Sequence, residues 1–300
     1  MEHPKPSFIS RPPRAEQEVT LSPPSPSLPH DATFREEHAR ILERIAVGQP
    51  LTDILLSIIA LLEAETPGAI GSIMLLDETG TVLNHGASLN LPEGYRGALE
   101  RIPLASESGT CGTAAYRRET IIVPDISTHP LWARLPEVRT MTLGYGLRSC
   151  WSAPILSRTG DVLGTFATYY TIPRVPSEQE QQALKVLSHL AAIAIERHHT
   201  EQALRMSEER LRLAITGAKL GTWHWDAVRG ERIWSDRTLA LFGLTETPTE
   251  RDAWIMLMHP DDREAVQKAV DTAVDNHMEY EQEYRILWPD GSSHWIAFRG

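Results

Sequence analysis

From Pro176 the chain reads PSEQEQQALKVLSHLAAIAIERHHTEQALRMSEERLRLAITG, and nothing in it stops a helix before Gly217. Ser177 and Glu180 form the Ser-x-x-Glu signature of a capping box, with Pro176 just ahead of it. A helix of about forty residues is roughly 60 Å long, about twice the diameter of a small domain. It is read as a connection between two folded regions. Steps of three and four from Leu187 give Leu187, Leu190, Ala194, Arg197, Glu201, Leu204, Glu208, Leu211 and Ile215, six of the nine apolar. That repeat is the seam of a two-stranded coiled coil, apolar at both ends and polar in the middle. A parallel homodimer through Leu187, Leu190, Ala194, Leu204, Leu211 and Ile215 is expected, with Arg197, Glu201 and Glu208 weakening its centre.

The rest of the chain has to supply matter for both ends. At 300 residues, 41% hydrophobic and 23% charged, it is long enough for two ordinary cores. The longest nearly unbroken apolar run, Ile54 to Leu62, is far short of the ~20 residues that span a bilayer. No secretory signal opens the sequence, so a cytoplasmic protein is expected. The net charge of −11, without a Lys/Arg run, disfavours nucleic acid. Two cysteines cannot build a disulfide framework or a four-thiolate zinc site, and they suit a reducing compartment.

Residues 1–35 are read as a disordered tail, because eight of the 21 prolines fall in the first thirty residues and few large apolar ones accompany them. Residues 36–198 make a first domain. Two helices, broken at Gly48-Gln49-Pro50, precede the strand pairs SIMLLDETGTVLNHGAS and LRSCWSAPILSRTGDVLGTFATYY. The connecting helix is placed at 178–216 and overlaps the end of this domain. Residues 217–300 make a second domain of aromatic strands, GTWHWDAVRGERIWS and YEQEYRILWPDGSSHWIAFRG, around short helices. In MHPDDREAV, Asp261 and Glu264 are read as a capping box, and a helix start explains His259, Asp261 and Asp262 without a metal. The fold class is α+β, two antiparallel sheets with flanking helices, joined by the long helix.

With GTCGTAAYRRETIIVPDISTHPLW, LRSCWSAPILSRTGDVLGTFATYY and LAAIAIER, the first domain resembles a GAF domain. The second, with SEERLRLAITGAKLGTWHWD, HPDDR and its closing hairpin, is similar to a PAS domain of the PAS fold-3 type. The resemblance implies the arrangement of bacterial sensor proteins, an output domain beyond residue 300, and one more strand after Phe298-Arg299-Gly300. It therefore implies a longer receptor. Neither an H-box nor an ATP lid, a G-G-D-E-F, an E-A-L site, a P-loop or a helix-turn-helix occurs in the sequence. Ser188-His189 continues as Leu-Ala-Ala-Ile, which gives His189 a structural role.

Cys111 stands between glycines at the start of a short helix, a place that could lower a thiol pKa. GAF-type free-methionine sulfoxide reductases carry a similar G-x-C-G-T-A stretch, but their further cysteines have no counterpart in STHPLWARLPEV. Gly112 follows Cys111 and Trp151 follows Cys150, so a covalent bilin is disfavoured. The cyclic-nucleotide signature of the family is absent. A PAS part without cysteine excludes a cysteinyl-flavin adduct, and His277 is the best-placed axial ligand if a haem were held. The cofactor is left unknown, and both cysteines are read as small core residues. If the resemblance extends to a ligand mouth, Asp125, His129, Trp132 and Tyr145, with Cys111, would line it. Against that, Trp132 fits a core plug and His129-Pro130 a turn. Trp223, Trp225, Trp288 and Trp295 read as sheet packing. No catalytic residue is assigned. The expected function is the input region of a two-component sensor histidine kinase; the alternatives are the input of a cyclic-di-GMP cyclase or phosphodiesterase, or an interaction scaffold.

Overall fold

The computed structural model describes residues 30–226, 229, 231–248 and 253–300, and it divides between His199 and Thr200 into two compact units. The proline-rich segment at 1–29 lies outside the described residues. Residues 30–35, expected in the tail, instead belong to the first helix, α1 (His30–Ala46). After the break at Gly48-Gln49-Pro50 comes α2 (Leu51–Glu65), whose Ile54, Leu55, Ile58, Ile59 and Leu62 are buried with Ile41 and Ile45 of α1. The apolar residues recur at three and four because only that spacing keeps them on one helix face.

The first unit is built on one antiparallel sheet of β1 (Ile70–Leu76), β2 (Val82–Ser88), β3 (Ile102–Pro103), β4 (Ile121–Val123), β5 (Ser149–Leu156) and β6 (Val162–Tyr170), in the order β3-β2-β1-β6-β5-β4. The two hairpins expected from the turns at Glu78–Gly80 and Arg158–Asp161 are β1–β2 and β5–β6. Alternation sorts their side chains. Phe166, Tyr170, Trp151, Ala153 and Ile155 face α1, α2 and the long helix, while Ala167, Tyr169, Cys150 and Met74 face the opposite side. That side is covered by α3 (Glu93–Arg96), α4 (Gly109–Arg117), α5 (Pro130–Ala133), α6 (Pro136–Gly144) and their loops. Both faces of the sheet are therefore buried, which is why these strands read as nearly continuous apolar runs.

The long helix, α7 (Glu178–Gly217), has 40 residues, and its capping box forms as the sequence predicts. Ser177 Oγ accepts the Glu180 N–H at 3.2 Å, and Glu180 Oε2 accepts the Ser177 N–H at 2.7 Å. Arg174 donates to both carboxylate oxygens of Glu180 at 2.8 Å. The two halves of the helix differ. Leu187, Leu190 and Ala194 are 0–2% exposed in the core of their own unit, so the seam drawn through them does not face a partner. The first half lays its apolar face on its own sheet. Only Leu204 and Leu211, 59% and 62% exposed, and the half-buried Ile215 remain for another helix.

The second unit carries two two-stranded antiparallel sheets, β7 (Trp223–Trp225) with β8 (Arg232–Trp234), and β9 (Glu281–Leu287) with β10 (Ser293–Arg299). Between them run α8 (Asp236–Phe242), α9 (Ala253–Met256) and α10 (Arg263–Asn276). Its core holds Phe242, Met258, Val266, Tyr280, Tyr284 and Ile286. The capping box expected of Asp261 and Glu264 does not form. His259 Nδ1 accepts the Asp261 N–H at 3.4 Å in the turn before α10, and Asp262 occupies the cap position without a side-chain cap bond. The Asp262 carboxylate is taken by Arg285, through the guanidinium at 2.6 and 2.9 Å and the backbone N–H at 2.9 Å. A bidentate charged pair outweighs a single cap bond.

Candidate functional site

The GTCGTAA stretch is explained by packing. Gly109 has φ +64°, a left-handed conformation that favours glycine, and it opens α4. A Cβ on Gly112 would stand 2.6 Å from the Pro103 carbonyl oxygen, so this glycine lets α4 approach the end of β3. Cys111, Ala114 and Ala115 then lie buried against the sheet. Cys111 and Cys150 share one cluster with Tyr95, Trp132 and Tyr169. Burial pushes the Cys111 thiol pKa up, against the weaker lowering effects of Ser152, Thr165 and Tyr169 beside it. Burial raises Cys150 well above its usual value too. Both thiols stay protonated at neutral pH, the opposite of an activated nucleophile.

The structure puts Trp132 and Cys111 in one buried cluster and leaves Asp125, His129 and Tyr145 outside it. Trp132 is 3% exposed, and its Nε1–H donates to Thr110 Oγ1 at 3.1 Å. Asp125 Oδ1 accepts the Ser127 hydroxyl at 2.6 Å and its N–H at 2.8 Å, bonds that lower the carboxyl pKa and close a turn. His129 caps α5, accepting the Leu131 N–H on Nδ1 at 3.3 Å. Tyr145 is 41% exposed, with its ring 5.8 Å from that of Tyr95. These five residues thus serve as a core plug, a turn, a helix cap and a rim aromatic. One property of this face escaped the motifs: the hydroxyls of Ser72, Ser152 and Thr165 are buried on it, those of Ser152 and Thr165 beside the Cys111 thiol. In the ladder Ser72 and Ser152 both pair with Ala167.

A half-open cavity lies in the second unit, with Phe298 and Gly300 in its lining. On one face of the β7–β8 hairpin, Trp223 stands opposite Trp234 and Trp225 opposite Arg232. With Trp254 of α9 and Tyr280 they line a space of about 180 Å³. The Arg232 guanidinium carbon is 5.6 Å from the Trp225 ring centre. The Tyr280 hydroxyl is buried with no hydrogen-bond partner, and burial pushes its pKa up to about 12. Alternating tryptophans signal sheet packing and cavity lining equally well, so no motif pointed to this space. Of the four read as packing, Trp223 and Trp225 line it. Trp288 donates its Nε1–H to the Leu241 carbonyl at 3.1 Å, and Trp295 is 72% exposed. His277 ends α10 in a left-handed conformation and is exposed. Among the described residues no group of three or more His, Cys, Asp or Glu side chains could hold a metal ion, and no helix is long and apolar enough to cross a membrane.

The chain thus carries two α+β units, one with a sheet covered on both faces and one with a small aromatic cavity, joined in sequence through α7. The chain carries a GAF domain, matched over residues 48–196, followed by a PAS fold matched over residues 231–300. It is similar to the methyl sulfide methyltransferase-associated sensor of Methanosarcina acetivorans, at 38% identity over 58% of this chain and 17% of that protein. It is also similar to the sensor protein FixL of Bradyrhizobium diazoefficiens, at 28% identity over 30% of this chain and 18% of that protein. The chain thus covers less than a fifth of the length of these two relatives. Among solved structures, a GAF domain from an Acinetobacter phosphoenolpyruvate-protein phosphotransferase aligns over 57% of this chain and 98% of its own, at 20% identity and a TM-score of 0.45. The free methionine-R-sulfoxide reductase of Neisseria meningitidis aligns over 59% and 96%, at 20% identity and a TM-score of 0.46.

Proposed function

We propose that this GAF-PAS module is the cytoplasmic input region of a two-component sensor histidine kinase and works as a parallel homodimer. The observation that carries the reading is α7. One helix begins in the GAF core and continues, with Leu204 and Leu211 exposed, to the PAS unit. Its stretch 202–214, exposed throughout, is short enough to be marginal without packing, and pairing the exposed seam with a second copy would stabilise it. Glu201 and Glu208 in that seam keep the pair weak, so that a change of packing in the GAF core shifts helix register or rotation and is felt beyond it. The two relatives, both named as sensors, support a signalling role. Phosphorylation would be the work of an output domain following residue 300. The gene beyond the Gly300 codon should therefore encode a phospho-accepting histidine segment and an ATP lid, and the full-length product should autophosphorylate with labelled ATP. A G-G-D-E-F or E-A-L segment there would replace the kinase with cyclic-di-GMP turnover, and a full-length protein without an output domain would leave a scaffold.

A further inference from the structure

We propose that the cavity of the PAS unit binds a flat aromatic acid of one or two rings, held between the tryptophans with its carboxylate at Tyr280 and Arg232. The proposal deepens the sensory reading and rests on it for the consequence of binding, not for binding itself. Size sets the first limit. An apolar cavity of roughly 150 Å³ takes up benzene, so a space of about 180 Å³ suits a small ring system. Shape sets the second. The cross-strand pairs place three indoles and one guanidinium on one face of the hairpin, Trp254 adds a fourth indole, and α10 contributes only small side chains, Val270, Ala273 and Val274. Indole walls favour a planar ring by offset or edge-to-face stacking over a branched aliphatic group.

Polarity sets the third. The Tyr280 side chain lines the cavity with its residue 8% exposed, and its hydroxyl lacks a partner. A buried donor left unmet is costly, and a ligand oxygen would meet it. Because burial holds the phenol protonated at neutral pH, it donates, and the ligand must accept. Arg232 in the same lining places positive charge where that acceptor is anionic.

The test is calorimetric titration of the 300-residue chain with indole-3-carboxylate, with indole, and with cyclohexanecarboxylate, followed also by tryptophan fluorescence. Indole-3-carboxylate should bind with Kd on the order of 10–100 μM, indole about tenfold more weakly, and the saturated acid not measurably. Tyr280→Phe should weaken the acid about tenfold and leave indole unchanged. Ala273→Leu, which fills the space, should abolish both while the thermal midpoint holds or rises. No saturable signal with the acid up to about 1 mM, equal binding of cyclohexanecarboxylate, or full binding by Ala273→Leu would overturn the proposal. If Ala273→Leu does not fold, the Tyr280→Phe comparison decides alone. A negative result would leave the mass of the chain in solution unchanged, so the dimer stands or falls separately.

Discussion

The two halves of α7 carry leucines at the same three-and-four spacing in opposite surroundings. From Leu184 to Ile195 the helix buries Leu184, Leu187, Leu190, Ala191 and Ile195 on a sheet that is closed on its other face as well. From Gln202 to Ala214 every residue is exposed, Leu204, Met206, Leu211 and Leu213 among them. A leucine at a seam position therefore has no fixed meaning: it belongs to whatever surface reaches it first. The GAF sheet reaches the first half, and within the chain little reaches the second. The difference separates a half that holds a fold together from one that is available to couple two copies.

The largest effect should come from exchanging equivalent leucines between the halves. Leu187→Ala should cost about 2–5 kcal/mol of unfolding free energy, because it leaves a void in a closed core. Leu211→Ala, measured by urea unfolding at sub-micromolar concentration, should stay within about 0.5 kcal/mol of wild type. Equal losses would show that the second half is packed after all.

A smaller effect distinguishes the PAS unit. Arg285 donates to the Asp262 carboxylate and holds its pKa down at about 2, below an ordinary value near 4 in the unfolded chain. A depressed carboxylate stabilises the fold above the unfolded pKa and loses that contribution as pH falls through the folded one. The PAS unit should therefore lose stability between about pH 4 and pH 2, and Asp262→Asn should flatten that limb of a plot of thermal midpoint against pH. An unchanged slope would remove the ion pair from the account.

The smallest effect concerns the thiols. Cys111→Ser should fold and stay within about 1 kcal/mol of wild type. A chromogenic disulfide reagent should label neither cysteine of the native chain quickly and both in urea, since both are buried with raised pKa values. Rapid native labelling of Cys111 would restore it as a reactive group.

What the sequence made legible depended on how local the cause was. The break at Gly48-Gln49-Pro50, the two hairpin turns and the Ser177–Glu180 capping box each rest on a few adjacent residues, and each stands where the sequence predicts. Nonlocal competition hid the rest. Asp261 and Glu264 have the spacing of a cap, yet α10 starts at Arg263 with Asp262 at the cap position, and the Asp262 carboxylate goes to Arg285, 23 residues away. The sequence marks Cys111 as a small core residue, but not that Gly112 beside it meets the Pro103 carbonyl oxygen. The cavity of the PAS unit depends on small side chains from α10 facing large ones from the hairpin, a juxtaposition no single stretch encodes.

The proposed coupling through the second half of α7 is tested most directly by the mass of the chain in solution. Sedimentation equilibrium at about 50 μM should give twice the 33.6 kDa of one chain, and Leu204→Asp with Leu211→Asp should return it to the mass of a single copy while the GAF core stays folded. A wild-type chain that remains a single copy at that concentration, or a double variant that still pairs, would contradict the dimer and reduce α7 to a spacer.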